Sequence, residues 1–461
     1  MSEVIRFNPA LGLYRWRFES APGVANEAGR WHDLNNFKGE KIGANSLLVP
    51  RTALSRGGMR PQSLIGKLEP GGDTEFDAFQ PRQEWPFWAL LLHGYDVPGG
   101  PLAGETAAYR HKIHRLGASA FPDTAEIRLD RNTGQITRYR EVRGGGVQLK
   151  LAGKQLVSTM YTTVVGRFDY WGDAIQTGTG TATPELRGVN AINNPAPGST
   201  PLDFYMKVTA QTSTTVTVTT KRGVSATYGA PYVIPRSSPA APVWWLVLDE
   251  NGVAMGQFTG IATEVYLPAS GTFVVNDEFH WPAVCPDWTT GSPTWPYAPP
   301  PMIAVNEVLS SYAVAGGQIL NFDTADLTIK SGAETKHEFG GRMPSRTREW
   351  GFQTVDGKIA REEQPGFSFQ PYLVEGVPFD IVINLSSGVR LGTSGLYDYN
   401  GVLTMKNVVP KGKTNSVEGE KSLPGGIDFE ANSSGDSTYP SDITLETQNE
   451  IPSLLAADAF A

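Results

Sequence analysis

Between Tyr109 and Trp171 apolar and polar positions alternate with a period of two. Ala125, Ile127 and Leu129 interleave with Glu126, Arg128 and Asp130, and the turn residues Arg131-Asn132-Thr133-Gly134 lead into a second alternating run, Gln135 to Arg140. Beyond Gly144-Gly145-Gly146, Val147, Leu149 and Leu151 face one way while Gln148 and Lys150 face the other. After Ala152-Gly153-Lys154 a long β-branched run, Gln155 to Val165, returns the chain. This period predicts a β-meander that covers a core with one face and meets solvent or a partner with the other.

The same pattern locates the remaining elements. Leu13 to Phe18 alternates as a strand, and the Gly- and Asn-rich stretch from Gly23 to Asn36 reads as an arm or loop. Ser46 to Arg51 and Ser63 to Leu68 are strands separated by a Gly/Arg loop. Gln83 to Gly94 is the best helix, with Pro86 suited to a first turn and Gly94 to a stop. It is apolar nearly all round and so should be buried, and His93 reads as a helix-end cation near the C-terminal dipole.

From Ala174 the texture changes to Gly, Thr, Asn and Pro, which marks a boundary. Runs at Leu202 to Thr209, Thr214 to Lys221, Pro242 to Asp249 and Val265 to Val275, with a hairpin turn at Asp249 to Gly252, predict a small inserted β-sandwich. A Pro-rich linker, Pro293 to Pro301, follows. The third part repeats the grammar of the first. A strand at Leu320 to Lys330, strands flanking an Arg-rich turn (Arg342 to Arg348), a segment at Phe369 to Val374 in the helix position, and strands at Pro378 to Leu385, Leu396 to Met405 and Gly426 to Ala431 come in that order. The expected fold class is therefore mainly β, duplicated, with an insertion. Its divisions are an arm (1–40), a first half (41–175), the inserted sandwich (176–290), the linker (291–305) and a second half (306–461).

Composition supports this class. Gly 51 and Pro 34 with only 19% charged residues favour many turns and short strands, and 40% hydrophobic content is ample for a core. No run of 18 apolar residues and no basic-then-apolar leader occurs, so neither a membrane span nor that export route is expected. Cys285 stands alone and leaves no intrachain disulfide and no cysteine-rich metal site. Residues 301–461 carry 12 Lys and Arg against 21 Asp and Glu, net −9, whereas the first 300 carry 27 against 26. No basic run is present of the kind that grips nucleic acid by displacing counterions.

Candidate chemistry is sparse. His111 and His114 are the one close histidine pair, but three residues apart on a strand they face opposite sides and suit no common metal. Gly144-Gly145-Gly146 and Thr179-Gly180-Thr181 read as turns, since no Lys-Ser/Thr and no helix follows. No Gly-x-Ser-x-Gly elbow occurs, and the adjacent acids Glu362 and Glu363 read as solvated. Trp281, Trp288, Trp295 and Tyr297 could stack on sugars or pack between domains. No catalytic, cofactor or metal residue is assigned, and no enzyme is expected.

Ile65 to Gly71, the aromatic helix Glu84 to Gly94, Tyr109 to Ile113, Pro122 to Ile127 and Gly146 to Leu151 follow one another in an order that resembles the tail tube (major tail) proteins of long-tailed bacteriophages. Leu327 to Gly332, Gly351 to Thr354 and Phe379 to Leu385 are similar to that family's second half, so that the likeness covers about two thirds of the chain. The resemblance implies a structural virion protein. Its protomers would be tail-tube-type β-sandwiches with a flanking helix, assembled as rings stacked into a hollow tube that conducts genomic DNA from capsid to host, with a tape-measure protein and the transiently passing duplex DNA as partners. A trimeric pseudo-hexamer is the favoured ring and a true hexamer the other. The competing class is a carbohydrate-binding or adhesin-like virion protein; a glycan hydrolase would need a carboxylate pair that the sequence does not reveal.

Overall fold

The computed structural model describes residues 13–23, 32–34, 37–49, 64–76, 79–115, 119–130, 136–152, 157–170, 175–187, 203–223, 226–238, 243–254, 263–281, 306–314, 318–319, 324–337, 344–349, 353–360, 369–412, 427–432 and 443–454. It is mainly β. The first part contains β1 (Leu13–Phe18), β2 (His32–Leu34), β3 (Phe37–Glu40), β4 (Gly43–Val49), β5 (Leu64–Phe76), the helix Pro81–Leu92, β6 (Gly94–Asp96), β7 (Tyr109–His114), β8 (Ser119–Ala120), β9 (Ala125–Asp130), β10 (Ile136–Ala152) and β11 (Ser158–Tyr170). The inserted part contains β12 (Ile175–Thr177), β13 (Glu185–Arg187), β14 (Phe204–Gln211), β15 (Thr215–Arg222), β16 (Tyr232–Pro235), β17 (Trp245–Leu246), β18 (Glu264–Tyr266) and β19 (Glu278–Trp281). The last part contains β20 (Asn306–Val314), β21 (Gln318–Ile319), β22 (Thr324–Lys330), β23 (Ala333–Lys336), β24 (Arg346–Glu349), β25 (Thr354–Ala360), the short helix Gln370–Glu375, β26 (Phe379–Leu391), β27 (Tyr397–Gly412), β28 (Ile427–Asn432) and β29 (Ile443–Asn449).

The two outer parts place their strands in the same order. In the first, β3 and β4 pair with β5, β5 with β11, β11 with β10, β10 with β9, β9 with β1, and β1 with the short β2. In the last, β22 pairs with β25, β25 with β28, β28 with β27, β27 with β26, β26 with β20, and β20 with the short β21. A helix follows the second strand pair in each case. β29 takes up, alongside β27, the place that the far half of β11 holds alongside β10.

Two ladders join the parts. β10 runs against β22, with Leu149 opposite Leu327, and β7 runs against β29, with Ile113 opposite Leu445. One buried cluster extends through both, from Trp16, Trp85 and Tyr161 to Ile383, Phe429 and Leu445. The inward side chains of both halves thus leave water together, which is the main favourable contribution to a fold of this kind. Leu13–Phe18 is not part of a separate arm. Its Tyr14 and Trp16 sit in this core, so alternation alone carried the strand into the sheet.

β10 corrects the expectation of two strands separated by a glycine turn. It is a single 17-residue strand with a bulge at Gly144/Gly146. The glycines serve close approach: a Cβ on Gly144 would lie 2.9 Å from the carbonyl oxygen of Leu90 in the helix, and one on Gly146 2.7 Å from that of Ile329 in β22. The helix begins at Pro81 rather than after Gln83, Pro86 lies inside it, and His93 in the left-handed region caps it, its N–H donating to the Ala89 carbonyl at 2.9 Å. Trp85, Trp88 and Leu92 are fully covered, as an all-apolar helix requires.

The inserted part has a core of its own around Phe204, Val218, Phe279 and Trp281, between a five-stranded and a three-stranded sheet. Its first and last strands, β12 and β19, pair with each other, so the chain enters and leaves it at adjacent positions. The expected strand at 265–275 is only Glu264–Tyr266; Pro268, which has no N–H for a ladder, follows at an isolated bridge to Ser237, and Gly271 beyond it takes positive φ. The Pro-rich linker lies outside the described residues.

Candidate functional site

Strands alternate sides, and on one face of β1, β9 and β10 this gathers arginines that are scattered in the sequence. Arg15 stands opposite Arg128, and Arg128 opposite Arg138; in the next row Arg17 stands opposite Glu126. Glu126 accepts from Arg17 Nε at 3.1 Å and Nη2 at 3.0 Å and from Arg128 Nε at 3.0 Å, with Arg138 Nε 4.0 Å away. Burial by itself would raise the Glu126 pKa, but the guanidinium charges of Arg128, Arg17, Arg140 and Arg138 hold it well below the carboxylate range. All five arginines, counting Arg140, are buried.

The inserted part covers this face. Arg138 Nη2 donates to the Leu186 carbonyl at 2.8 Å, and Arg140 Nη1 to Glu185 Oε2 at 2.8 Å, both residues of β13. Arginines that form no run in the sequence are therefore gathered on one face, and they seat one part of the chain on another. In the sequence the signal is the even spacing Arg15/Arg17 and Arg138/Arg140 with Arg128 between, which cross-strand rows bring together although no run of basic residues exists.

A second polar group lies beneath the helix. Glu84 Oε1 accepts from the Gln80 N–H at 2.6 Å, and Oε2 from Thr159 Oγ1 at 2.5 Å and Tyr161 Oη at 2.6 Å. Full burial pushes its pKa up to about 8 against those hydrogen bonds. Glu19, raised by burial to about 7, accepts from Thr124 Oγ1 at 2.6 Å and from the N–H groups of Gly23 and Glu141 at 2.8 and 3.0 Å. Each acid is enclosed by the groups it binds and ties strands together rather than facing a cleft.

Side chains also sew the outer parts together beyond their ladders. Glu141 Oε1 accepts from the Thr347 N–H at 2.8 Å, His93 Nε2 lies 3.0 Å from Glu349 Oε2, and Glu105 accepts from the N–H groups of Thr393 and Ser394 at 2.7 Å each. His93 thus joins the helix end to β24 as well as capping the helix.

The other sequence candidates separate cleanly. His111 lies between Tyr95 Oη and Asn449 Oδ1, each at 2.8 Å, while His114 pairs with Asp96 at 2.9 Å, so the two do not converge. Among the described residues no group of three or more His, Cys, Asp or Glu could hold a metal ion. Trp281 is fully buried against Phe204 and Phe279 within the inserted core, where no sugar could reach it. Cys285, Trp288, Trp295, Tyr297, Glu362 and Glu363 lie outside the described residues. Thr179 and Gly180 donate their N–H groups to Asp277 Oδ1 at 3.1 and 3.3 Å, a turn clamp. No helix among the described residues is long and apolar enough to cross a membrane. No family model matches the chain, and no curated protein matches it.

Proposed function

We propose that the chain is a self-assembling structural protein of the phage tail-tube type, forming rings that stack into a hollow tube that conducts genomic DNA, with a tape-measure protein as a further partner. The observation that carries this reading is the repeated strand order, β3/β4–β5–β11–β10–β9–β1 and β22–β25–β28–β27–β26–β20, joined side by side through the β10–β22 ladder. Two like units sharing a sheet edge to edge are a segment of a wall. A chain that supplies two neighbouring positions would close a six-position ring with three copies, the pseudo-hexamer; six copies would close it if both halves make one position. The chemistry agrees in kind, because the buried acids, arginines and histidines described above are all committed to joining strands.

A glycan-binding or adhesin-like role has one observation in its favour: Trp245 and Leu246 on the inserted part are 40% and 45% exposed. Negative-stain electron microscopy of the purified chain separates the two. Tubes or stacked rings are expected; compact particles with glycan affinity and no rings would replace the tube reading with the second.

A further inference from the structure

His111 on β7 is fully buried and holds two groups at once. Its Nε2 lies 2.8 Å from Asn449 Oδ1 at the end of β29, and its Nδ1 lies 2.8 Å from Tyr95 Oη on β6, whose ring stacks on the imidazole at 6.0 Å. Both partners also hold the segment that follows β29. The Ile451 N–H donates to Asn449 Oδ1 at 2.9 Å and the Leu454 N–H to Tyr95 Oη at 3.1 Å, and Ile451 and Leu454 are buried in the common core.

These bonds place the protons. Asn449 Oδ1 only accepts, so His111 Nε2 carries the ring hydrogen of the neutral imidazole. Its Nδ1 is then a lone pair, and the Tyr95 O–H donates to it. The two lone pairs of Tyr95 Oη accept from the Leu454 N–H and the Ser453 side chain. A proton added at Nδ1 therefore meets an oxygen with no acceptor position left, and can be bonded only at the expense of Leu454 or Ser453.

Little around the ring offsets such a charge. Alternation turns Arg110, Lys112 and His114 of β7, Asp96 of β6 and Glu446 of β29 to the other face of the sheet. On the His111 face stand the phenols Tyr95, Tyr109 of β7 and Tyr399 of β27. The helix Pro81–Leu92, which packs on β7 and β29, brings Glu84, bound to Thr159 and Tyr161, and leads to His93, paired with Glu349. The held segment itself brings Glu450. Burial lowers the His111 pKa from 6.5 to about 4, although Asn449 and the Ile451 backbone favour the charged ring.

We propose that neutral His111 is the catch of an acid-operated latch: protonation at Nδ1 takes Tyr95 Oη from Leu454 and Ser453 and frees the segment 450–454, while the β7–β29 ladder stays formed. The latch does not depend on the tube reading. Its sign follows from the lowered pKa, since the freed state takes up a proton that the latched state does not, so that opening grows about tenfold for each pH unit below 6.5 until about 4.

The test uses the full chain with 15N-labelled histidine, read by NMR, together with hydrogen exchange. The chain has six histidines, and His111→Gln identifies the signal of His111 by its loss. At pH 7 the Nε2–H tautomer is expected. Between pH 6.5 and 4 the protection factors of amides 451–454 should fall by about tenfold per unit while those of 204–211 in the inserted core stay level, and His111→Gln, which cannot titrate, should remove that slope. If that variant does not fold, Tyr95→Phe serves: it removes the O–H that favours the neutral ring, so the His111 midpoint should rise toward 6.5. An Nδ1–H tautomer at pH 7, equal falls in both segments, an unchanged slope in His111→Gln or an unmoved midpoint in Tyr95→Phe would each overturn the latch.

Discussion

Leu149 and Leu327 stand opposite each other in the β10–β22 ladder, each almost fully buried, although one belongs to the first part of the chain and the other to the last. Truncating either to alanine is expected to cost about 2–5 kcal/mol, the usual range for a buried leucine whose surroundings relax only in part. Because one core runs through both parts, the loss should be felt in both. Denaturant unfolding followed by hydrogen exchange should show the helix Pro81–Leu92 and the strand Ile427–Asn432 losing protection at the same midpoint. Retention of protection in one of them would mean that the halves fold independently.

Glu84 makes a pH prediction. Its folded pKa of about 8 lies above its ordinary 4.5, so across that interval the folded chain holds a proton that the unfolded chain has released, and stability falls as pH rises. Glu19, at about 7, acts in the same sense up to that pH. His111 acts in the opposite sense, since burial lowers it from 6.5 to about 4 and stability is lost as pH falls through that range. Between pH 7 and 8 Glu84 stands clear of both. There the parent should lose on the order of 1 kcal/mol, and Glu84→Gln, which keeps the shape without the titration, should lose markedly less. Equal slopes for the two in pH-dependent denaturation would show that the carboxyl is already ionised in the fold.

The mainly-β class and the buried helix were legible in the sequence, because alternation and a largely apolar run report burial directly. What was not legible has a physical reason in each case. Gly144 to Gly146 reads as a turn by composition, and only the nearness of Leu90 and Ile329 shows that the glycines make room for neighbours instead. The pairing of β10 with β22 depends on register between distant segments, which no local pattern encodes. Glu126 looked like any outward acid on an alternating strand; its burial arises from the inserted part that covers the outward face.

That cover leads to a prediction about the insertion. β12 and β19 pair, so removing 177–281 leaves chain ends that a short linker can join, and rings should still form. The deletion also strips Leu186 and Glu185 from Arg138 and Arg140 and opens these side chains to water, while Glu126 stays beside Arg138. The deleted chain should therefore melt lower than the parent, and Arg140→Ala, which costs the intact chain its bond to Glu185, should cost the deleted chain less. A soluble, folded deletion that forms no rings at all would place the inserted unit in the contact between subunits.

If the assembly is a tube, its lumen should carry carboxylates and neutral polar groups, with the acidic last part contributing most. Residues 301–461 hold the excess of Asp and Glu. Duplex DNA bears one charge per roughly 1.7 Å, and each lumenal cation would add an attraction that must break as DNA slides. A resolved lumen lined with Lys and Arg would contradict this.

The copy number of the ring follows from whether the two units of one chain occupy equivalent places. The shared strand order and the β10–β22 ladder treat them as neighbours in a wall, so three chains would supply six places and three inserted units would project from each ring. The shared core acts against that equivalence, since it binds the two units of one chain more firmly than a contact between chains would. The units are also unlike in detail. The first has a 12-residue helix and the second a 6-residue one, and among the described residues β6 to β8 have no counterpart after the second helix. Alternating places around a trimeric ring should therefore differ visibly, giving threefold symmetry with a sixfold modulation and not true sixfold symmetry. Ring views by electron microscopy measure this directly: three inserted units per ring are expected, and six equivalent ones would assign each chain a single place.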